Sequence, residues 1–199
     1  IMTKKSIITW SVIGGLVALI LITFISTQNS LAGKDETAKQ CWADVQAQYQ
    51  RRANLVPQLV NTVKGYASHE KQTLEGLTEA RTKATQIRVD ADNLSEADMR
   101  RFQEAQGELS QALGRLIAIT EAYPDLKASQ NFSELQAQLE GTENRIAESL
   151  RKYNEAVRNY NKARRMFPTN VFAGMLGYEA LPNFEAQAGA DKAPEVSFD

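Results

Sequence analysis

The sequence predicts an all-α protein: a single N-terminal transmembrane helix followed by an elongated antiparallel bundle of long helices. Three observations carry this prediction. Ile7 to Ile25 is an apolar run without a charge. Beyond Lys34, apolar side chains recur at steps of three and four in successive long stretches. Only five prolines interrupt 199 residues, and 43% of the chain is hydrophobic, enough for a packed core. The boundaries expected are a short tail over residues 1–6, the membrane helix over 7–27, the bundle over 34–178 and a C-terminal tail over 179–199.

At about 1.5 Å per residue the run Ile7–Ile25 reaches ~29 Å, enough to cross a hydrocarbon core of ~30 Å. Trp10 falls near one interface, where indole rings are favoured. A cleaved signal peptide is the rival reading, with Ser30-Leu31-Ala32 resembling a small-x-small cleavage site. The apolar run is longer than the usual ~7–15 residues of such peptides, which favours an uncleaved anchor. Lys4 and Lys5 precede the run, and the mixed set Lys34, Asp35, Glu36 and Lys39 follows it. The positive-inside rule then favours a cytoplasmic N-terminus and an exported body. Ser11 with Gly15, and Gly14 with Ala18, are small residues four apart, the spacing that lets membrane helices approach closely.

The body opens with Ala38, Trp42, Val45, Tyr49, Val56, Leu59, Val63 and Tyr66, with Arg52 occupying one slot of the apolar series. Pro57 lies inside this stretch and predicts a kink or a restart, because it lacks an N–H and clashes with the Ala53 carbonyl. The periodicity continues through Leu74, Leu77, Ala84 and Ile87. Arg88 to Asn93 is turn-prone, and Ser95 with Asp98 has the form of an acidic capping box. Met99, Phe102, Gln106, Leu109, Leu113, Leu116, Thr120 and Tyr123 make the next stripe, which Pro124 should end. A short link leads to the longest run, Asn131–Phe167. Its stripe is Phe132, Leu135, Leu139, Thr142, Ile146, Ser149, Tyr153, Ala156, Tyr160, Ala163 and Phe167. Asn131 and Glu134 are spaced as a capping box, and Pro168 stops the helix. The short link makes the last two helices antiparallel neighbours.

Composition removes several function classes. The formal net charge is −1, so no basic imbalance points to nucleic acid. Cys41 is the single cysteine, which excludes an intrachain disulfide and a cysteine-based zinc site. His69 is the single histidine, and Thr73 stands where H-E-x-x-H would need a second. No catalytic residue, metal site or cofactor is expected.

The residues Arg51-Arg52-Ala53-Asn54-Leu55-Val56-Pro57, Val63-Lys64-Gly65-Tyr66-Ala67-Ser68-His69-Glu70, Glu121-Ala122-Tyr123-Pro124-Asp125-Leu126-Lys127 with Asn131-Phe132, Leu139-Glu140-Gly141-Thr142-Glu143-Asn144-Arg145-Ile146, Tyr153-Asn154, Tyr160-Asn161 and Phe167-Pro168-Thr169-Asn170 follow one another over about 120 residues. In these the sequence resembles the LemA family of bacterial membrane-anchored helical proteins. The resemblance implies one N-terminal membrane helix, an antiparallel bundle and no known catalytic activity. It also implies an association with membrane metallopeptidases or TPM-domain proteins as genetic neighbours, and in one branch with magnetosome membranes. The sequence departs from the family pattern at Gln28-Asn29, where members commonly show Tyr-Asn.

Two functional readings follow: a noncatalytic membrane scaffold that forms a homo-oligomer, or an adaptor for a membrane enzyme such as a metallopeptidase. Candidate contacts with a copy or partner are the row Arg151, Arg158 and Arg165, also readable as a solvated face, and Asn154 and Asn161, readable as register-setting polar groups. To these we add the apolar residues Val171, Phe172, Met175 and Leu176. This last segment is too short to span a membrane. It carries no basic residue, which favours folding back on the bundle or meeting a subunit over dipping into lipid. The stretch AQAGADKAPEVSFD at the C-terminus reads as disordered on its own.

Overall fold

The computed structural model describes residues 4–184, and side chains from residue 8 onward. The orientation bias of Lys4 and Lys5 and the expectation for the C-terminal AQAGADKAPEVSFD stretch concern side chains and residues outside that description. The described residues are 83% helical and contain no strand. In chain order the helices are α1 (Lys4–Tyr66), α2 (Lys71–Gln86), α3 (Glu96–Thr120), α4 (Pro124–Lys127), α5 (Gln130–Arg165) and α6 (Thr169–Met175). The described chain forms two compact units. One combines residues 4–39 with Glu155–Leu181, the other Gln40–Asn154 with 182–184.

The larger unit is a bundle of α2, α3 and parts of α1 and α5. Pairings across it give the directions. Trp42 packs on Phe102, and Arg52 reaches Gln106 and Ser110, so α1 and α3 run together. Trp42 meets Tyr153 while Arg52 meets Glu143, so α5 runs back. Gln106 bonds the Ala84 carbonyl and Lys83 reaches Glu108, which sets α2 against α3 in the opposite sense. The apolar core draws Leu59 and Val63 from α1, Leu77 from α2, Leu116 from α3, Leu126 from α4 and Phe132 from α5. Each such side chain contributes roughly 1.5–3 kcal/mol on burial.

Four local expectations change. The stretch from Ala38 to Ile87 is two helices, because the chain reverses at Ala67–Glu70, where Glu70 N–H bonds the Ala67 carbonyl. The buried residues Val63 and Leu74 sit eleven apart, three helical turns, so the apolar period runs on across the corner and hides it. Pro57 causes no restart: α1 is continuous through it. The Ala53 carbonyl, which an N–H at position 57 would otherwise occupy, accepts instead from Arg81 Nε of α2 at 2.9 Å. Residue 131 is not a helix cap. Ser133 N–H already bonds the Ser129 carbonyl, and Glu134 accepts from Gln130 Nε2. Pro124 does not simply stop α3, which closes at Thr120; it opens α4 at the first helical position, where a missing N–H costs nothing. The Ser95 cap forms as expected, its Oγ accepting from Asp98 N–H.

The smaller unit packs Leu31 of α1, Tyr160 of α5 and Ala173 of α6 together, with Ala163, Tyr178 and Leu181 at its edge. Phe167, placed on the α5 stripe by its spacing, lies past the helix end and is 82% exposed. After α6 the Tyr178 N–H bonds the Ala173 carbonyl and the Gly177 N–H bonds that of Gly174, a Schellman closure. Gly177 adopts φ 75°, a conformation that favours glycine, and the described residues after it, 178–184, are neither helix nor strand.

Candidate functional site

The apolar stretch of α1 from Ile8 to Ile22 lies open on the surface of the described residues. Every side chain from Ile8 to Ile22 is exposed, and a Cβ added to Gly14 or Gly15 would meet no atom within 4 Å. Ser11 and Ala18 are exposed with them. This is the one helix among the described residues long and apolar enough to cross a membrane. Burial begins at Thr23 and Phe24, with Thr27 and Leu31 fully packed.

The larger unit holds a buried cation that the apolar period alone does not explain. Arg52 is 2% exposed. Its Nη1 donates to Ser110 Oγ at 2.7 Å and to Glu143 Oε1 at 3.1 Å; its Nη2 donates to the Gln106 carbonyl at 3.0 Å and to Gln106 Oε1 at 2.8 Å. The guanidinium lies 4.9 Å from the Tyr49 ring centroid, a cation–π contact. Gln106 in turn donates to the Ala84 carbonyl. One side chain of α1 thereby ties α3 and α5 together and, through Gln106, α2. Burial pushes the Tyr49 hydroxyl up to about 12, with Arg52 opposing and Glu143 adding to the shift. The signal available in the sequence was an arginine in an apolar slot. Gln106, on the α3 stripe, was a second.

The Tyr-Asn pairs seven apart on α5 each grip the backbone of the non-helical residues after Gly177. In the larger unit Tyr153 Oη donates to the Pro182 carbonyl at 2.9 Å. Asn154 is bidentate to Phe184: Nδ2 donates to its carbonyl and Oδ1 accepts its N–H, at 2.9 and 2.8 Å. The Phe184 ring stands 6.4 Å from both Trp42 and Tyr49. In the smaller unit Tyr160 Oη donates to the Glu179 carbonyl, Asn161 is bidentate to Leu181, and Arg164 Nε donates to the Tyr178 carbonyl. An asparagine amide presents an NH₂ donor beside a carbonyl acceptor, the pairing a neighbouring strand would offer. Burial raises the Tyr153 hydroxyl, and it raises that of Tyr160 to about 12, with Asp35 adding and Arg164 opposing.

Asn154 and Asn161, marked in the sequence as contacts to a copy or partner, therefore have their amides engaged within the chain. The arginines of the seven-residue row sit on the surface. Arg151 pairs with Glu148 through Nε and Nη2, lowering that carboxylate, and Arg165 Nε reaches the Asn161 carbonyl of its own helix. Arg158 is exposed. Of the apolar set, Phe172 is half-buried edge-on to Phe24 and Leu176 is half-buried, whereas Val171 and Met175 are exposed. His69 sits exposed in the Ala67–Glu70 corner, where Glu70 accepts from Tyr123 Oη. Among the described residues no three His, Cys, Asp or Glu side chains gather as metal ligands would. An open groove of about 570 Å³ runs between α1 and α2, with Val60 and Leu74 among its lining and Lys64, Lys71, Glu75 and Glu79 along it.

An exposed apolar helix joined to helical packing defines a membrane-associated helical protein. The LemA family model matches residues 41–198, and the chain belongs to the LemA family. Protein LemA of Metamycoplasma hominis is 24% identical over 170 residues, covering 85% of this chain and 74% of that one. Magnetosome protein MamQ of Magnetospirillum gryphiswaldense is 30% identical over 87 residues, 44% of this chain and 32% of that protein. Magnetosome protein MamQ 2 of Paramagnetospirillum magneticum is 23% identical over 192 residues, covering 88% and 71%.

Proposed function

We propose that the chain is a noncatalytic scaffold held in the bacterial inner membrane by Ile7–Ile25, with its helical body on the periplasmic side, and that copies associate laterally into a homo-oligomer. The carrying observation is the bare apolar helix surface from Ile8 to Ile22. Apolar area costs about 25 cal/mol per Å² in water, so lipid or another copy must cover it. The small residues Gly14 and Gly15 leave room on that surface for close approach of a second helix.

The mass of the full chain in mild detergent tests the reading. Light scattering or native mass spectrometry should give a particle several times the 22.1 kDa of one chain. Monomers alone would remove the scaffold. Stoichiometric recovery of one membrane enzyme from native membranes would instead favour an adaptor, for which the α1–α2 groove offers an apolar surface between charged edges.

A further inference from the structure

The smaller unit carries a second apolar surface, at the turn between α5 and α6. Met166, Phe167, Val171 and Met175 are 54%, 82%, 54% and 78% exposed. Four large apolar side chains within ten residues would be a poor solution for a surface facing water. The position of this turn along α1 identifies what covers it.

Phe172 of α6 packs edge-on against Phe24, ring centroids 5.6 Å apart. Phe24 is the last but one residue of the apolar run Ile7–Ile25. When that run fills a hydrocarbon core of ~30 Å, the Phe24 ring lies at its edge, and the headgroup layer occupies a further ~5–7 Å beyond. The middle of α6, at Phe172, is therefore held at the depth where hydrocarbon gives way to headgroups. Farther from the anchor, Ala173 and Tyr160 pack around Leu31, some two helical turns along α1.

The charge pattern agrees with that depth. Between Lys162 and Tyr178 the sequence carries Lys162, Arg164 and Arg165 and no acid. All three cations lie in the last turn of α5, immediately before the exposed apolar residues. Arg164 Nε is held by the Tyr178 carbonyl, but the exposed Lys162 and Arg165 are placed to extend their heads to lipid phosphates while the neighbouring apolar side chains enter the acyl boundary. Counted on its own, the segment after Pro168 lacks basic residues; α5 supplies them.

We infer that the α5–α6 turn is a second membrane contact, in which Met166, Phe167, Val171 and Met175 insert into the lipid interface beside the anchor. The inference rests on Ile7–Ile25 spanning the bilayer. Its test is site-directed spin labelling of the full chain in vesicles of phosphatidylcholine and phosphatidylglycerol, in a Cys41→Ala background. Labels are placed by Phe167→Cys and Met175→Cys, at exposed positions. A label at Leu16→Cys reports the anchor and one at Gln72→Cys, exposed on α2, reports water.

Collision with oxygen, which concentrates in lipid, is compared with collision with a water-soluble nickel chelate. The ratio of oxygen to nickel collisions at 167 and 175 should exceed that at 72 several-fold and approach that at 16. Ratios equal to that at 72, with 16 still in lipid, overturn the turn contact and leave the anchor standing. A water-like ratio at 16 overturns both. Dipolar broadening at 167 and 175 that disappears on dilution with unlabelled chain means that another copy, and not lipid, covers the surface, and it too overturns the inference.

Discussion

Arg52 is held by four hydrogen bonds to three residues, and only Glu143 among these partners carries charge. Glu143 is itself 44% exposed, so exposure alone suggests a dispensable surface acid. The buried guanidinium reverses that judgement. Glu143→Ala leaves a cation in the core without its counter-charge and should destabilise by roughly 2–4 kcal/mol. Glu143→Gln, whose amide oxygen still accepts, should lose less. Glu148→Ala, which breaks only surface pairs with Arg151 and Lys152, should leave the urea midpoint unchanged. Equal midpoints for Glu143→Ala and Glu148→Ala would show that Arg52 does not need its partner. Tyr49 titrates in the same environment. Its hydroxyl, pushed up to about 12 by burial, stays protonated in the folded chain while the unfolded tyrosine ionises near 10. Below pH 10 its contribution to stability is complete. Above it the unfolded state holds fewer protons, and stability falls by up to about 1.4 kcal/mol per pH unit until the folded pKa is reached. The melting temperature should decline above pH 10, and Tyr49→Phe should make the decline shallower. Identical slopes for variant and wild type would exclude this tyrosine as a source.

Helix α1 keeps its course through Pro57 because α2 supplies what proline withholds. The Ala53 carbonyl is in a residue only 2% exposed, and Arg81 Nε is its hydrogen-bond donor. Removing that donor should cost about 1–3 kcal/mol, the penalty for an orphaned buried acceptor. In a Pro57→Ala chain the new N–H can take the carbonyl over, so Arg81→Ala should then cost less by about 1 kcal/mol. A double-mutant cycle on chemical denaturation measures this coupling, and strictly additive effects would disprove it. The non-helical segment after Gly177 is held by the same kind of device. It is fastened by side-chain amides and hydroxyls of α5, and the Tyr-Asn repeat is legible as the device only once the two asparagines are seen to face backbone.

At the scale of the molecule, packing among the described residues covers the bundle core and leaves the side chains from Ile8 to Ile22 of α1 exposed. The proposed lateral association would place Ser11, Gly14, Gly15 and Ala18 between helices of neighbouring copies. Replacing Gly14 and Gly15 by leucine should then lower the particle mass in detergent, with the fold of the bundle retained by circular dichroism. An unchanged mass would move the association to another surface. The arginine row, with Arg151 in the larger unit and Arg158 and Arg165 in the smaller, remains the exposed alternative.

The helices and the apolar span were readable from the chain because both depend on local pattern. Side chains three and four apart share a helix face, and nineteen uncharged, predominantly apolar residues measure a bilayer, whatever the rest of the molecule does. The Ser95 cap and the buried α5 stripe from Phe132 to Tyr160 follow from the same rules. The corner at Ala67–Glu70 escaped them because it preserves the period, and Phe167 misled them because the period outlasts the helix. Tertiary structure alone decided the rest. Arg52 meets Glu143 from 91 positions away, Arg81 reaches Ala53 across 28, and Asn154 finds Phe184 across 30. A buried polar group is stable only where a partner lies within hydrogen-bond distance, and that distance exists only after the helices have packed.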